Sequence, residues 1–204
     1  MTKKRVVITG LGCLTPIGCN KDEFWQSLME GRSGSKTIDF LDIEKLPVKF
    51  SASVKDFQSE KYFDRKDLKK MDLFMQYGMA AGIDAINDAN ILNSDYDPTR
   101  VGVSIGSGIG GLYNIENTRD TFNKSGSRRI SPFFVPASII NMISGNLSIK
   151  YGFQGPNLSI VTACTTGTHN IGEGYRQIQH SHADVMICGG AEMATSDLGV
   201  GGFA

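Results

Sequence analysis

Residues 160–172, IVTACTTGTHNIG, put one cysteine where an apolar run ends and a run of threonines and glycines begins. Cys164 could be a nucleophile, half of a metal site with His169, or a buried small hydrophobe. A strand-to-helix junction suits the nucleophile. The first amides of a helix have no partners within it and can stabilise a thiolate or an oxyanion, and the positive end of the helix dipole favours negative charge there. Small neighbours would let a bulky thioester approach. His169 fits poorly as the base, because five residues along a helix is about 500° of rotation and about 7.5 Å of rise, which turns the imidazole off the cysteine's face. The same phase argues against a shared metal. On the residues alone, Cys164 stays open between nucleophile and buried thiol, with no base for it in view.

The other candidates are weaker. His180 and His182 lie in a polar QHSHAD turn, where histidines are ordinarily solvated, and Cys188 sits inside the run VMIC as a structural thiol. Cys13 and Cys19 flank a proline-containing loop without partner residues, and no CxxC pair exists, so neither a disulfide scaffold nor a structural zinc site is suggested. Gly106, Gly108 and Gly111 satisfy GxGxxG after an apolar run. A dinucleotide fold would need an acidic strand end about twenty residues on, and the sequence there is KSGSRRISP. With Ile109 in its middle, the loop reads better as the wall of an apolar pocket.

These residues need elements to position them. Arg5–Thr9, RVVIT, reads as a short buried strand, and Asn20 with Glu23 as a reciprocal N-cap opening a helix of about three turns. A long irregular segment follows, with an edge strand near Phe50–Val54. Residues 64–92 carry a helical stripe of Met71, Phe74, Met75, Gly78, Ala81, Ala85, Ile86 and Ala89, whose small members imply a close neighbour. Arg100–Ile105 is the next strand, then a helix through Tyr113–Phe122, a loop, and a helix from Pro136 at its first position to Tyr151. Leu158–Val161 and Val185–Cys188 read as two strands joined by a helix from about Thr165 to Gln179, which argues parallel pairing with a right-handed crossover. The expected class is α/β, with helices on both sides of a mixed or parallel sheet.

The chain has 204 residues, 40% of them apolar, with 21 basic and 21 acidic side chains. That balance gives no reason to expect nucleic acid as the main ligand. The apolar run Val6–Ile8 is too short for a signal-peptide core or a membrane span, so a cytoplasmic, membrane-free protein is expected.

Six separated segments in order, KRVVITGLGCLTPIG, RKDLKKMDLFMQYGMAA, GSGIGG, RRISPFFVPASIINM, GPNLSIVTACTTGTHNIG and DVMICGGAEMATSDLGVGGF, resemble the β-ketoacyl synthases. These are condensing enzymes with the thiolase fold, and the match is narrower to the bacterial elongating branch, the β-ketoacyl-[acyl-carrier-protein] synthases II. The resemblance covers essentially the whole chain and implies a thiolase-like α/β fold, of which residues 1–204 would form the N-terminal half of a duplicated architecture.

The resemblance also implies roles. Cys164 would take an acyl group from the phosphopantetheine thiol of acyl carrier protein, with its own amide as an oxyanion donor. Ile109, Phe134, Ala163, Gly199 and Phe203 would shape or gate the acyl pocket, Phe134 being lent across a homodimer interface. Lys66, Lys69, Lys70, Arg128 and Arg129 would form the basic surface that docks the acidic carrier protein. No metal and no cofactor is implied beyond the carrier's own phosphopantetheine. Two histidines and a lysine of the family's catalytic set have no counterpart here, so this chain alone is expected to be inactive. A polyketide-type ketosynthase, a catalytically silent chain-length-factor-like partner and an NAD(P)-binding oxidoreductase are the alternatives. The chain-length factor is disfavoured by the retained cysteine, and the polyketide enzyme by a discrete chain starting at its own methionine.

Overall fold

The structure, a computed structural model, describes residues 4–204; Met1, with which a discrete chain is expected to start, lies outside the described residues. Its centre is a three-stranded parallel sheet in the order β4 (Asn157–Leu158), β3 (Val101–Gly106), β5 (Val185–Gly190). The two strands expected to pair with each other are both parallel, but β3 lies between them. The first of them is shorter than predicted: Asn157–Leu158 pairs, and Ser159–Val161 leaves the sheet toward Cys164.

Side-chain alternation along β3 explains the layering. Val101, Val103 and Ile105 point into the apolar core, with Phe74, Met75 and Ile86 of α3 (Leu73–Asp88) and Ile143 and Leu147 of α6 (Met142–Tyr151). Gly102, Ser104 and Gly106 face the other way, and α7 (Thr166–Gln179) packs there. The register Val103↔Ile187 and Ser104↔Cys188 keeps β5 in step, Ile187 joining the core and Cys188 lying against α7. This is the α/β arrangement expected, and β3 is buried along its whole length.

Arg5–Thr9 departs from expectation. It forms no strand, and Val7 and Ile8 are 59% and 79% exposed. Apolar β-branched residues make a strand only beside an edge that takes their backbone groups, and among the described residues none does. The segment that follows instead lies on α3. A Cβ at Gly10 would come within 2.4 Å of the Ala85 carbonyl oxygen, and one at Gly12 within 1.9 Å of that of Ala81. These glycines are the close neighbour that the small residues of α3 imply.

Helix α1 (Lys21–Met29) is capped by Asn20, whose Oδ1 accepts from the Asp22 and Glu23 amides, while Glu23 bonds the Cys19 amide one residue earlier than a reciprocal box would. The stretch 64–92 divides into α2 (Arg65–Leu68) and α3, because Asp72 caps the second piece. The edge strand shrinks to β2 (Phe50–Ser51), paired antiparallel with β1 (Lys36–Thr37). The helix after the glycine loop, α4 (Leu112–Ser125), is as expected and longer. The next divides into α5 (Phe134–Ser138) and α6. Pro136 is therefore the third residue of a helix and not its first, a position that still needs no N–H. Helix α8 (Asp197–Phe203) ends the chain.

Candidate functional site

Cys164 is exposed in a 3-10 turn, Ala163–Thr165, that leads directly into α7. Ala163 before it has φ +53°, a left-handed conformation rare for a residue with a Cβ and costing on the order of 1 kcal/mol. The turn is held from several sides. The Thr162 amide donates to Thr166 Oγ1 at 3.0 Å, the Thr165 hydroxyl to the Thr162 carbonyl at 2.7 Å, and His169 Nδ1 lies 2.7 Å from Thr162 Oγ1. His169, unsuited by phase to serve Cys164, thus ties the threonine two residues before it.

Asn170 completes the elbow and is fully buried. Its Oδ1 accepts from Ser104 Oγ at 2.7 Å and from the Ile160 amide at 3.1 Å. Its Nδ2 donates to the carbonyls of Ile160 and Thr166 at 2.9 and 2.8 Å. One amide side chain therefore joins β3, the segment before the cysteine and the first turn of α7. Gly106 makes room for it: a Cβ there would meet the Ile160 carbonyl at 2.4 Å and Asn170 Nδ2 at 2.8 Å. No side chain caps α7, and the Thr165 and Thr166 amides donate back to the Thr162 and Ala163 carbonyls, so what the helix start offers the thiol is the positive end of its dipole.

The glycine loop 107–111 lies against this elbow, since a Cβ at Gly108 would be 3.4 Å from Ala163 Cα. Three of its five amides have protein acceptors. Ile109 N–H donates to Glu192 Oε2 at 2.9 Å, Gly110 N–H to Ser107 Oγ at 3.0 Å and Gly111 N–H to the Ser138 carbonyl at 3.1 Å. A pyrophosphate needs such amides free, and a carboxylate in their place repels it. The loop is therefore built as a wall, and the Ile109 side chain, 40% exposed, is its apolar surface.

Gly108, next to Ile109, thus meets Ala163, next to Cys164, while the other predicted pocket residues lie on α5 and α8. Phe134, half-buried on α5, is tied to α4, because Asn114 Nδ2 donates to its carbonyl at 3.2 Å and to Ser138 Oγ at 2.8 Å. Gly199 and Phe203 sit on α8 and line a cleft of about 960 Å³ with Glu192, Tyr113 and residues 12–16; neither Cys164 nor Ile109 lines it. Glu116 of α4 fixes α8, accepting from Ser196 Oγ at 2.7 Å and from the Leu198 amide at 3.0 Å. Asp72 plays a similar part between α3 and α4, accepting from the Phe74 and Asn114 amides at 3.1 and 2.8 Å, and burial pushes its carboxyl above the usual range.

Lys66, Lys69, Lys70, Arg128 and Arg129 are all exposed. Lys70 pairs with Asp67 at 2.9 Å and lies 5.8 Å from the centre of the Phe133 ring, which puts 66–70 and the segment just after Arg129 on adjoining surface. Cys188 is half-buried against α7, and burial raises its thiol to about 12. Among the described residues no group of three or more His, Cys, Asp or Glu could hold a metal ion, and no helix is long and apolar enough to cross a membrane.

Asn170, Glu192, Glu116 and Asp72 were not singled out from sequence. Asn170, three residues beyond the glycine of CTTG on a face that must meet the sheet, was the one a helical-phase argument could have found. The two glutamates act across long sequence separations and left no local pattern.

Solved structures and curated proteins agree with this architecture. A type II polyketide ketosynthase in complex with its acyl carrier protein superposes with a TM-score of 0.84 at 27% identity, covering 99% of this chain and 54% of that one. The 3-oxoacyl-[acyl-carrier-protein] synthases 2 of Vibrio harveyi and Coxiella burnetii are 49% and 50% identical over 203 and 204 residues, 100% of this chain in each case. The chain spans about half the length of these relatives, 49% of each. The family model for the β-ketoacyl synthase N-terminal domain matches residues 3–204, and the chain belongs to that family.

Proposed function

We propose that the protein carrying this chain is a 3-oxoacyl-[acyl-carrier-protein] synthase of the type II elongating kind, and that residues 1–204 are its N-terminal half. The observation that carries this is the exposed Cys164 on a strained elbow at the uncapped start of α7. The Cys164 thiolate attacks the thioester carbonyl of an acyl carrier protein, the phosphopantetheine thiolate leaves, and an acyl-cysteine forms. Malonyl-carrier protein then loses CO2. The resulting enolate carbon bonds to the acyl carbonyl carbon, Cys164 thiolate departs, and the 3-oxoacyl product is two carbons longer. The tetrahedral intermediates need donors fixed in advance, a part the Cys164 amide would take beside the positive end of α7.

Ile109, Ala163 and Phe134 would bound the acyl chain, with Gly199 and Phe203 on the gating side. Lys66, Lys69, Lys70, Arg128 and Arg129 would dock the acidic carrier protein. A cytoplasmic homodimer, with Phe134 near the shared face, is the expected setting. Malonyl decarboxylation would draw on the family's two histidines and lysine, supplied from outside this chain. A polyketide-type ketosynthase is the second reading, favoured by the likeness to one at 27% identity but outweighed by 49–50% identity to the fatty-acid type. The retained Cys164 argues against a silent chain-length factor, and the engaged loop amides against NAD(P).

Incubation of the full-length protein with mass-tagged acyl carrier protein should add one acyl group at Cys164 and none in C164A. No loading of the wild type, or equal loading of C164A, would overturn the proposal.

A further inference from the structure

The three parallel strands end on the same side of the sheet, so the Cys164 elbow, the glycine loop and the segment after β5 emerge side by side. Glu192 follows β5 by two residues and directs both carboxylate oxygens at the glycine loop. Oε1 accepts from Ser107 Oγ at 2.8 Å and Oε2 from the Ile109 amide at 2.9 Å, while Ser107 Oγ accepts in turn from Gly110 N–H. Among the described residues no cation pairs with Glu192. Gly108, between the two bonded residues, is shaped to this contact, because a Cβ there would lie 2.8 Å from Oε2. Bonds from neutral donors to an ionised acceptor are the stronger kind, and two from one carboxylate to residues 107 and 109 fix both the position and the tilt of the loop.

We infer that Glu192 is a specificity-determining positioning residue: by clamping residues 107–110 it sets how far Ile109 stands from an acyl group on Cys164, and hence which chain lengths are accepted. The inference rests on the function proposed above, and its geometric part does not. A loop closed on its own turn by Gly110, with φ +83°, would keep its shape without Glu192 but lose its fixed distance from β5. The acyl chain would then meet a wall that yields.

The test uses the full-length protein with E192Q, which keeps the side chain's size but loses one acceptor, and S107A, which removes the other arm. Hydrogen exchange at the Ile109 amide should rise about tenfold in E192Q, the expected effect of losing a charge-assisted bond. The ratio of kcat/KM for the longest to the shortest acyl-carrier substrate that the wild type loads should shift at least about threefold in both variants. A merely structural role would lower both substrates together. An unchanged exchange rate overturns the clamp, and faster exchange with an unchanged ratio overturns the specificity role. Failure of the wild type to load any acyl group would instead remove the proposed function, while the exchange measurement would still report on the clamp.

Discussion

Ser104 of β3 donates its hydroxyl to Asn170 Oδ1 of α7 at 2.7 Å, with both side chains fully buried. That bond lies directly beneath the Cys164 elbow. Replacing Asn170 with Ala leaves the Ser104 hydroxyl and the Ile160 amide and carbonyl without the partners that the structure gives them. Leaving buried polar groups unpaired costs about 1–3 kcal/mol each before relaxation, so N170A should lower unfolding stability by about 3 kcal/mol. N170D should be worse, because a carboxylate would face the Ile160 and Thr166 carbonyls. Denaturant midpoints at constant m-value report this, and acyl loading of Cys164 should fall in parallel. A silent N170A would mean that the elbow is held by its threonines alone.

Gly174 and Cys188 form a second contact under α7. A Cβ on Gly174 would lie 2.1 Å from Cys188 Sγ but 3.6 Å from its Cβ. G174A should therefore cost about 1–3 kcal/mol by overpacking, and C188A should relieve it. The double variant is expected to be more stable than the sum of the singles predicts, by at least about 1 kcal/mol. Additive costs in a double-mutant cycle would place the strain elsewhere.

These two contacts show what could be read from sequence. The helix 165–179 was legible to within a residue, because glycines and a proline punctuate its surroundings and its stripe has helical period. That Ser104, Cys188 and Gly174 share one face was not, since it depends on β3 lying between β4 and β5, and neither strand carries a mark of its partner. The first strand failed for a related reason: Val6–Ile8 has strand chemistry, but a ladder is a property of two segments. In the site, the place of Cys164 at the entry to a helix was legible from the runs that flank it, but its exposure was not, and neither were Asn170 and Glu192, because a buried amide or a clamping carboxylate looks like any surface residue until its partners are known.

The cysteines should separate by reactivity. With its thiol at about 12, Cys188 is ionised to only about one part in ten thousand at pH 8, and burial also raises Cys13 and Cys19. Iodoacetamide on the native protein at pH 7–8 should modify Cys164 first, as read by peptide mass mapping. Prior acylation should block that modification. Equal labelling of Cys188 would mean that α7 opens from the sheet on the reaction timescale.

Acid stability should depend on Asp184. Arg100 and Lys4 hold its carboxylate, with bonds of 3.0, 3.1 and 3.2 Å, and lower it to about 2. A depressed folded value stabilises the fold above the unfolded value near 4 and ceases to do so as pH falls through about 2. D184N should be less stable than wild type at pH 7, and the gap should close between about pH 4 and 2. Because the site is half-exposed, solvent and salt screen the effect, which should be small. A gap that persists unchanged to pH 2 would assign the loss to packing of the 181–184 turn.

Carrier-protein docking should be electrostatic and shared by two segments. Among the described residues Lys66 and Lys69 carry no ion pair, whereas Lys70 is already engaged by Asp67 at 2.9 Å. Reversing Lys66 or Lys69 to Glu should therefore lower kcat/KM for a carrier-bound acyl group by about three- to tenfold, relative to the same acyl group on free pantetheine. K70E should act partly through stability, since it places Glu beside Asp67. Because Lys70 reaches toward Phe133, R128E and R129E should act in the same direction as the lysine variants. The penalties should shrink as salt is raised toward about 0.5 M, where the screening length is only a few ångströms. If the free-pantetheine substrate suffers equally, the charges act on the fold or on the pocket, and the surface that meets the carrier lies elsewhere.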